Sequence, residues 1–319
     1  MSTEDLNSTL DTLATEQVDP AAAHLDELDT AAQVALMMEH AAQAASAVAA
    51  VSDSIAAAVD GIAARRARGG RIIYLGAGTA GRMGVLDASE IPPTFGTDPS
   101  EVIGLIAGGE TALRNAVENA EDDTLAGVTD LEDIGLSADD AVVGISASGR
   151  TPYVAGALAH AQQVGAFTVS VACNVGAAIS HGVDVAIEVA VGPEAVAGST
   201  RLKAGTAQKL VLNALSTLAM VHEGKVLGNL MIDVQATNEK LRVRAQRIVS
   251  GATGVDAATA SAALAAADGS AKLAIAIVTT GLDASAARAA LAAAGDDLRA
   301  LVRGADAVRS GETGGAPTA

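Results

Sequence analysis

Two stretches of this chain place small residues, hydroxyls and an arginine directly after an apolar run. Backbone N–H groups at the start of a helix, beside hydroxyl side chains, bind anions and most often a phosphate. One strand–helix turn of this kind can need glycine for geometry alone, but two of them favour a phosphate cradle. We expect it to be lined by Gly78, Thr79, Gly81 and Arg82 in the first stretch and by Ser146, Ser148, Gly149 and Thr151 in the second.

Two acids follow the first stretch, and the residues alone support a functional role for Glu90 better than for Glu121. Glu90 follows the first stretch and precedes Pro92 and Pro93, so we expect it on a short loop whose direction the prolines fix. Glu121 lies in an acidic cluster over residues 118–123, for which the residues alone favour a solvated helix face. A phosphate cradle beside a carboxylate predicts chemistry on a phosphorylated small molecule.

A third hydroxyl-rich turn spans residues 198–203, just before another helix. Ser199 and Lys203, perhaps with the preceding Glu194, are candidates to complete a sugar pocket. Arg82 and Arg150 have two open interpretations: each pairs with the phosphate, or each is a structural residue that contacts carboxylates at the start of a helix.

The elements that must position these residues alternate between strand and helix. Nearly continuous apolar runs are typical of strands that are covered on both faces, and alternation with helical stretches predicts an α/β fold with a doubly wound parallel sheet. The predicted helices include residues 31–68, 203–223 and 238–249, and three short ones follow Gly254. The five predicted strands are residues 71–75, 101–107, 141–146, 167–172 and 184–191.

The same pattern predicts the domain organisation. Residues 1–250 form the catalytic domain with an N-terminal helical lead, and residues 251–303 form a small three-helix domain. Asp256 and Asp283 are expected to cap the first and third of those helices. Residues 304–319 are rich in Gly, Ala, Thr and Pro, and we expect them to be disordered.

Composition excludes several classes of partner. The net charge is −18, and there are two Phe, two Tyr and no Trp, which argues against nucleic acid and anionic membranes. A single cysteine, Cys173, excludes an intrachain disulfide, and the five histidines lack metal-like spacing. We therefore expect a protein that uses no metal. The polar, acidic N-terminus lacks a signal pattern and no uncharged apolar run reaches the ~20 residues that span a bilayer, so we expect a cytoplasmic location.

Longer motifs resemble one known family, the N-acetylmuramic acid 6-phosphate etherases, which have the sugar isomerase (SIS) fold. The resemblance covers about Thr15 to Arg303. Its main motifs are the first stretch with the Asp-Ala-Ser-Glu-Ile-Pro-Pro sequence at 87–93, Ser-Gly-Arg-Thr-Pro-Tyr at 148–153, Lys-Ala-Gly-Thr-Ala-Gln-Lys at 203–209 and Ala-Thr-Asn-Glu-Lys-Leu at 236–241.

The resemblance implies a five-stranded flavodoxin-like sheet and a lyase that needs no cofactor. Its substrate would be a phosphorylated amino sugar, N-acetylmuramic acid 6-phosphate, whose D-lactyl ether is cleaved to N-acetylglucosamine 6-phosphate and D-lactate. By motif position, Glu90 would be the general acid and Glu121 the other catalytic glutamate. A homodimer with the active site near the subunit interface would also follow.

This chain departs from the family pattern at two places. Ala80 stands where the family usually has serine, and Val18-Asp19 stand where it has Arg-Asn. Two alternatives share the fold: a phosphosugar sensor similar to the glucokinase regulatory protein, and an aldose–ketose isomerase. A sensor would not need both glutamates and an isomerase would need no acid directed at C3, so Glu90 and Glu121 favour the etherase.

Overall fold

The computed structural model of the protein describes residues 13–233 and 239–310, with side chains described up to residue 304. The chain divides into two compact units, residues 1–90 with 98–219, and residues 91–97 with 220–319. This division groups residues 220–250, which we had assigned to the catalytic domain, with the C-terminal helices.

The first unit is built on a five-stranded sheet in which every pairing is parallel, in the order β2-β1-β3-β4-β5. The predicted doubly wound α/β fold is therefore confirmed. Every residue of β1 and β3 is buried, as the continuous apolar runs predicted. The strands are β1 (Ile72–Gly76), β2 (Val102–Ile106), β3 (Ala141–Ser146), β4 (Phe167–Ala172) and β5 (Val185–Glu188).

Seven helices accompany this sheet. The predicted helical region 31–68 forms two of them, and the long helix predicted over residues 203–223 is present almost unchanged. The helices are α1 (Thr30–Ala49), α2 (Ser52–Arg66), α3 (Gly78–Phe95), α4 (Gly109–Arg114), α5 (Thr124–Asp133), α6 (Pro152–Val164) and α7 (Lys203–His222).

A buried ion pair joins the starts of β1 and β3. The Asp140 carboxylate accepts hydrogen bonds from the Arg71 backbone N–H and guanidinium, both at 2.8 Å, and from the Ser137 N–H at 2.9 Å. Burial alone would raise the pKa of Asp140, but the bonds from Arg71 and Ser137 outweigh it and hold that pKa below its usual value. The pair fixes the edge of the sheet opposite the predicted cradle.

The second unit is mainly helical. It contains a short antiparallel pair, β6 (Val226–Leu227) and β7 (Leu230–Met231), and a core that includes Val249, Ala274 and Ile275. The three short helices that the sequence predicts are α9, α10 and α11; a further helix, α12, was not predicted. The helices are α8 (Glu239–Thr253), α9 (Ala257–Ala266), α10 (Ala271–Thr280), α11 (Ala284–Ala293) and α12 (Leu298–Ser310).

Both predicted caps in this unit are present. Asp256 accepts a hydrogen bond from the Thr259 N–H, and Asp283 accepts one from the Ala286 N–H. Residues 304–310, which we had placed in a disordered tail, continue α12. Residues 1–12, 234–238 and 311–319 lie outside the described residues, and with them the beginning of the predicted N-terminal lead, part of the 236–241 motif and the end of the predicted disordered tail.

Candidate functional site

The two predicted loops lie side by side at the carboxyl edge of the sheet. β1 ends at Gly76 and β3 ends at Ser146, and these strands are neighbours. From β1 the chain crosses to β2 on one side, whereas β3 lies on the other side. A reversal of strand order of this kind opens a crevice at the carboxyl ends of the strands, where α/β proteins bind ligands.

The loop after β3 gathers two hydroxyls and a backbone N–H around one buried serine. Ser146 Oγ lies 2.8 Å from Thr151 Oγ1 and 3.3 Å from Ser148 Oγ, and it accepts a hydrogen bond from the Gly149 N–H at 3.0 Å. Thr151 is the N-cap residue of α6, yet its side chain makes no capping hydrogen bond. Hydroxyls and helix N–H groups therefore converge at one helix start, as an anion site requires.

Gly149 is required by this loop for two reasons. Its φ is +73°, a conformation that other residues rarely adopt. A Cβ at this position would also lie 2.4 Å from the Cβ of Ala177. Gly149 therefore turns the backbone so that the hydroxyls meet, and its predicted contact with a phosphate stays a prediction.

The first loop contributes differently from our expectation. The Arg82 guanidinium donates to the backbone carbonyls of Ala112 and Leu113, at 2.5 and 3.1 Å, and so stabilises the end of α4. This matches the structural interpretation of Arg82, although its partners are carbonyls and not carboxylates. Gly81 packs directly on the end of β1, since a Cβ there would lie 2.6 Å from the Gly76 carbonyl oxygen. Arg150 is exposed.

The third turn is organised by Glu194, which is buried. Its carboxylate accepts hydrogen bonds from the backbone N–H groups of Lys203 and Ala204, at 2.8 and 2.9 Å, and so caps α7. The Lys203 ammonium is also buried and donates to Gln43 Oε1 at 3.1 Å. Burial lowers the pKa of Lys203, although Glu194 and Asp19 act in the opposite direction. Ser199 lies in the same turn, partly buried.

An N-terminal segment, residues 13–19, is attached to this edge of the sheet. Asn174, just beyond β4, donates to Thr15 Oγ1 and to the Ala147 carbonyl oxygen, both at 3.0 Å. Asp19 pairs with His40 at 3.1 Å. Sequence reasoning missed Asn174, although a polar residue directly after a buried strand was a usable signal.

Glu121 lies on a short 3₁₀ turn, Ala120–Asp122, and is exposed. The neighbouring Ala120 packs against the cluster that contains Tyr153, the second residue of α6. Glu121 therefore lies on the segment between β2 and α5, next to the helix that begins at the hydroxyl loop. Of the solvated helix face that the residues alone favoured, the exposure is present, but an α-helix is wrong: Asn119, with φ +61°, precedes a short 3₁₀ turn.

The predicted loop position of Glu90 is also wrong. Helix α3 continues through Glu90, Pro92 and Pro93 to Phe95. Each proline removes one intrahelical donor and crowds the preceding turn, yet the helix continues, and the Gly96 N–H still reaches the Pro92 carbonyl oxygen. Glu90 is exposed, twelve residues after Gly78, so it lies about 18 Å along the helix axis from the first loop.

Other classes of site have little support in the part of the chain that the structure describes. There, no group of three or more His, Cys, Asp or Glu side chains could hold a metal ion. No single helix within those residues is both long and apolar enough to cross a membrane. Three bent helix pairs meet the length and composition criteria when the two helices of each pair are counted together. Burial and, to a smaller extent, the charge of Glu194 raise the pKa of the Cys173 thiol to about 12.

Comparison with known proteins finds two family models that each match part of this chain. Residues 132–218 match the SIS domain family, and residues 54–162 match the family described as the glucokinase regulatory protein N-terminal SIS domain. The phosphoheptose isomerase structure from Francisella tularensis is similar over 61% of this chain and 98% of that chain, with 17% identity and a TM-score of 0.46.

Curated relatives are much more similar and cover most of the chain. The N-acetylmuramic acid 6-phosphate etherase of Streptomyces avermitilis is 56% identical over 85% of this chain and 87% of its own length. The etherases of Streptomyces coelicolor and Mycolicibacterium smegmatis are 52% and 54% identical, over 94% and 92% of this chain and 97% and 98% of their own. The chain therefore belongs to the N-acetylmuramic acid 6-phosphate etherase family.

Proposed function

We propose that this protein is a carbon–oxygen lyase that cleaves the D-lactyl ether of N-acetylmuramic acid 6-phosphate. The observation that carries the proposal is the hydroxyl cluster of Ser146, Ser148 and Thr151 at the start of α6, in a chain more than half identical to etherases. The cluster fits a sugar phosphate, because its hydroxyls and helix N–H groups can bind an anion without a metal.

The reaction requires an acid and a base on different carbons of the open-chain sugar. A base removes the proton from C2, which is acidic because C1 is an aldehyde, and the electron pair forms a C2–C3 double bond. The C3–O bond breaks, and Glu90 gives its proton to the departing lactyl oxygen. Water then adds to C3 and a proton returns to C2, which yields N-acetylglucosamine 6-phosphate and D-lactate.

Glu121 fits the role of the base. It lies at the carboxyl edge of the sheet, beside the helix whose first turn would hold the phosphate. Its exposed carboxylate can reach a bound sugar without the cost of desolvating a buried charge.

Glu90 fits the role of the acid only if two copies of the chain cooperate. About 18 Å of helix separates it from the first loop of its own chain, whereas C3 and the phosphate of one hexose lie within several ångströms of each other. We therefore infer a homodimer in which Glu90 of the partner subunit acts at each phosphate cradle. A cytoplasmic location, with no nucleic acid or membrane as partner, stays a prediction.

The test is release of D-lactate from N-acetylmuramic acid 6-phosphate by the purified protein, coupled to D-lactate dehydrogenase. We expect turnover by the wild-type protein and none by Glu90→Gln, with the fold intact by circular dichroism. Tight binding of the phosphosugar without lactate release would overturn the etherase and support the sensor. The sensor alternative has less support, since its family matches only residues 54–162.

A further inference from the structure

Helices α3 and α7 are joined at two levels, and the second level lies close to Glu90. Near their starts, a Cβ on Gly205 would lie 3.2 Å from Thr79 Cγ2. Eight residues further along each helix, Asn213 Nδ2 donates to Asp87 Oδ1 at 2.6 Å. Because both helices advance equally between the contacts, they run parallel and in a fixed register over about 12 Å.

The Asp87 carboxylate lies in a buried polar environment. Asp87 is 5% exposed, Ser216 is 1% exposed and Tyr74 is fully buried. Asp87 and Ser216 face the Tyr74 hydroxyl, and burial, followed by the charge of Asp87, raises the pKa of Tyr74 well above its usual value. The Asn213 amide thus donates a direct hydrogen bond to a buried carboxylate that also faces the Tyr74 hydroxyl.

Asn213 is held in place by contacts of its own helix, α7, and of its side chain. Glu194 caps the first turn of α7 with both carboxylate oxygens, and Gln43 holds the Lys203 side chain. At Asn213, the Lys209 ammonium donates to the side-chain Oδ1, which leaves the amide nitrogen directed at Asp87. A buried carboxylate–amide bond to a side chain held in this way resists both rotation and sliding of α3.

Glu90 follows Asp87 by three residues, less than one helical turn. We propose that Asp87 is a positioning residue for the acid: its bond to Asn213 sets the rotation and height of the outer half of α3, and thereby the direction of the Glu90 carboxylate. This inference rests on the proposed etherase function. Asp87 does not touch the substrate in this account, and it acts only through Glu90.

Two partial reactions of the enzyme distinguish a positioning role of Asp87 from a role in the stability of the fold. Exchange of the C2 proton with deuterium from solvent needs the base alone, whereas lactate release also needs the acid. We expect Asp87→Ala and Asn213→Ala each to lower kcat for lactate release about 10- to 100-fold, which is the scale for a small displacement of a reacting group. KM and the rate of C2 exchange should stay within about twofold.

Two further comparisons show whether the bond itself is responsible. The double variant should lose no more than either single variant, since both remove the same interaction. Asn213→Asp places two carboxylates together and should lower lactate release, and adding Asp87→Asn reverses donor and acceptor and should restore it. This exchange remains informative if the alanine variants do not fold.

A matched control is Asp130→Ala, which also removes a carboxylate from a buried tyrosine, Tyr153, at 2.6 Å. It should leave the ratio of lactate release to C2 exchange unchanged. Additive losses, a parallel fall of both reactions or unchanged lactate release in the Asp87 variants would overturn the inference. Absence of lactate release from the wild-type protein would instead overturn the proposed function.

Discussion

Glu90 lies on the same helix as Gly78, twelve residues further along, so about 18 Å of helix axis separates the candidate acid from the first loop of its own cradle. Glu121 lies on the segment that follows β2, at the cradle's edge of the sheet. The two glutamates of one chain thus belong to different ends of the first unit.

Mixing two inactive variants tests whether the sites are shared between subunits. Glu90→Gln and Glu121→Gln should each release no lactate. If Glu90 acts across a dimer, each mixed dimer contains one intact site, and a fully exchanged equimolar mixture should recover about a quarter of wild-type activity. If both glutamates act within one chain, the mixture stays inactive. Size-exclusion chromatography with light scattering provides the control for dimer formation.

The hydroxyl loop should tolerate no side chain at position 149. Gly149→Ala combines a strained positive φ with an overlap onto Ala177, and we expect a loss of about 3 kcal/mol in the free energy of unfolding, together with a raised KM. Gly176→Ala is the matched control, since its φ is +68° but no atom lies within 4 Å of the new Cβ. It should cost about 1 kcal/mol. Equal losses in urea denaturation would contradict the packing argument.

The ion pair between Arg71 and Asp140, at the starts of β1 and β3, should make the free energy of unfolding fall at acidic pH. The pKa of Asp140 is lower in the folded chain than in the unfolded chain, so its contribution is complete above the unfolded value near 3.8 and is lost as the pH falls through the lower folded value. Asp140→Asn should cost about 3 kcal/mol at pH 7, because it leaves the Arg71 guanidinium without its charged partner.

That difference between wild type and Asp140→Asn should shrink once the pH falls below the folded pKa of Asp140. Asp98→Asn serves as the control: hydrogen bonds from Ser100 also lower the pKa of Asp98, but this carboxylate is solvent-exposed. We expect little change there at any pH. An acid-independent difference for Asp140→Asn would argue against the pair.

The Asn174 side chain should couple the N-terminal segment to the cradle. Asn174→Ala removes bonds to Thr15 and to the Ala147 carbonyl, so we expect faster hydrogen exchange at the Thr15 amide and an approximately tenfold higher KM. The exposed Asn115→Ala should change neither quantity. A higher exchange rate with an unchanged KM would show that the segment does not support the cradle.

The sheet was predictable because each strand is specified by its own short stretch of sequence. Five apolar runs separated by helical stretches specify five parallel strands, of which β1 and β3 are buried throughout, and β3 and β4 have the predicted bounds. The hydroxyl loop was predictable for the same reason, since Ser146 contacts both Ser148 and Thr151 within six residues.

The rest depends on contacts between distant residues. Pro92 and Pro93 suggest a helix end, and nothing local shows that α3 continues through them. Glu194 precedes a hydroxyl-rich turn, which suggests a residue of a sugar pocket. Its hydrogen bonds from the Lys203 and Ala204 N–H groups, which cap α7, form only in the folded chain. Asp87 and Asn213 lie 126 residues apart, and no periodic pattern links them.

The bond between Thr15 and Asn174 also imposes an order on biosynthesis. Thr15 is made 159 residues before its partner, which at roughly 5–20 residues per second is a delay on the order of ten to thirty seconds. During that interval the N-terminal segment has no Asn174 to bind, and the loop that must close on it is long. In a nascent chain, the N-terminal segment can therefore bind beside the cradle only after β4 and Asn174 have left the ribosome. The cradle is completed later than the first helices and strands of the unit.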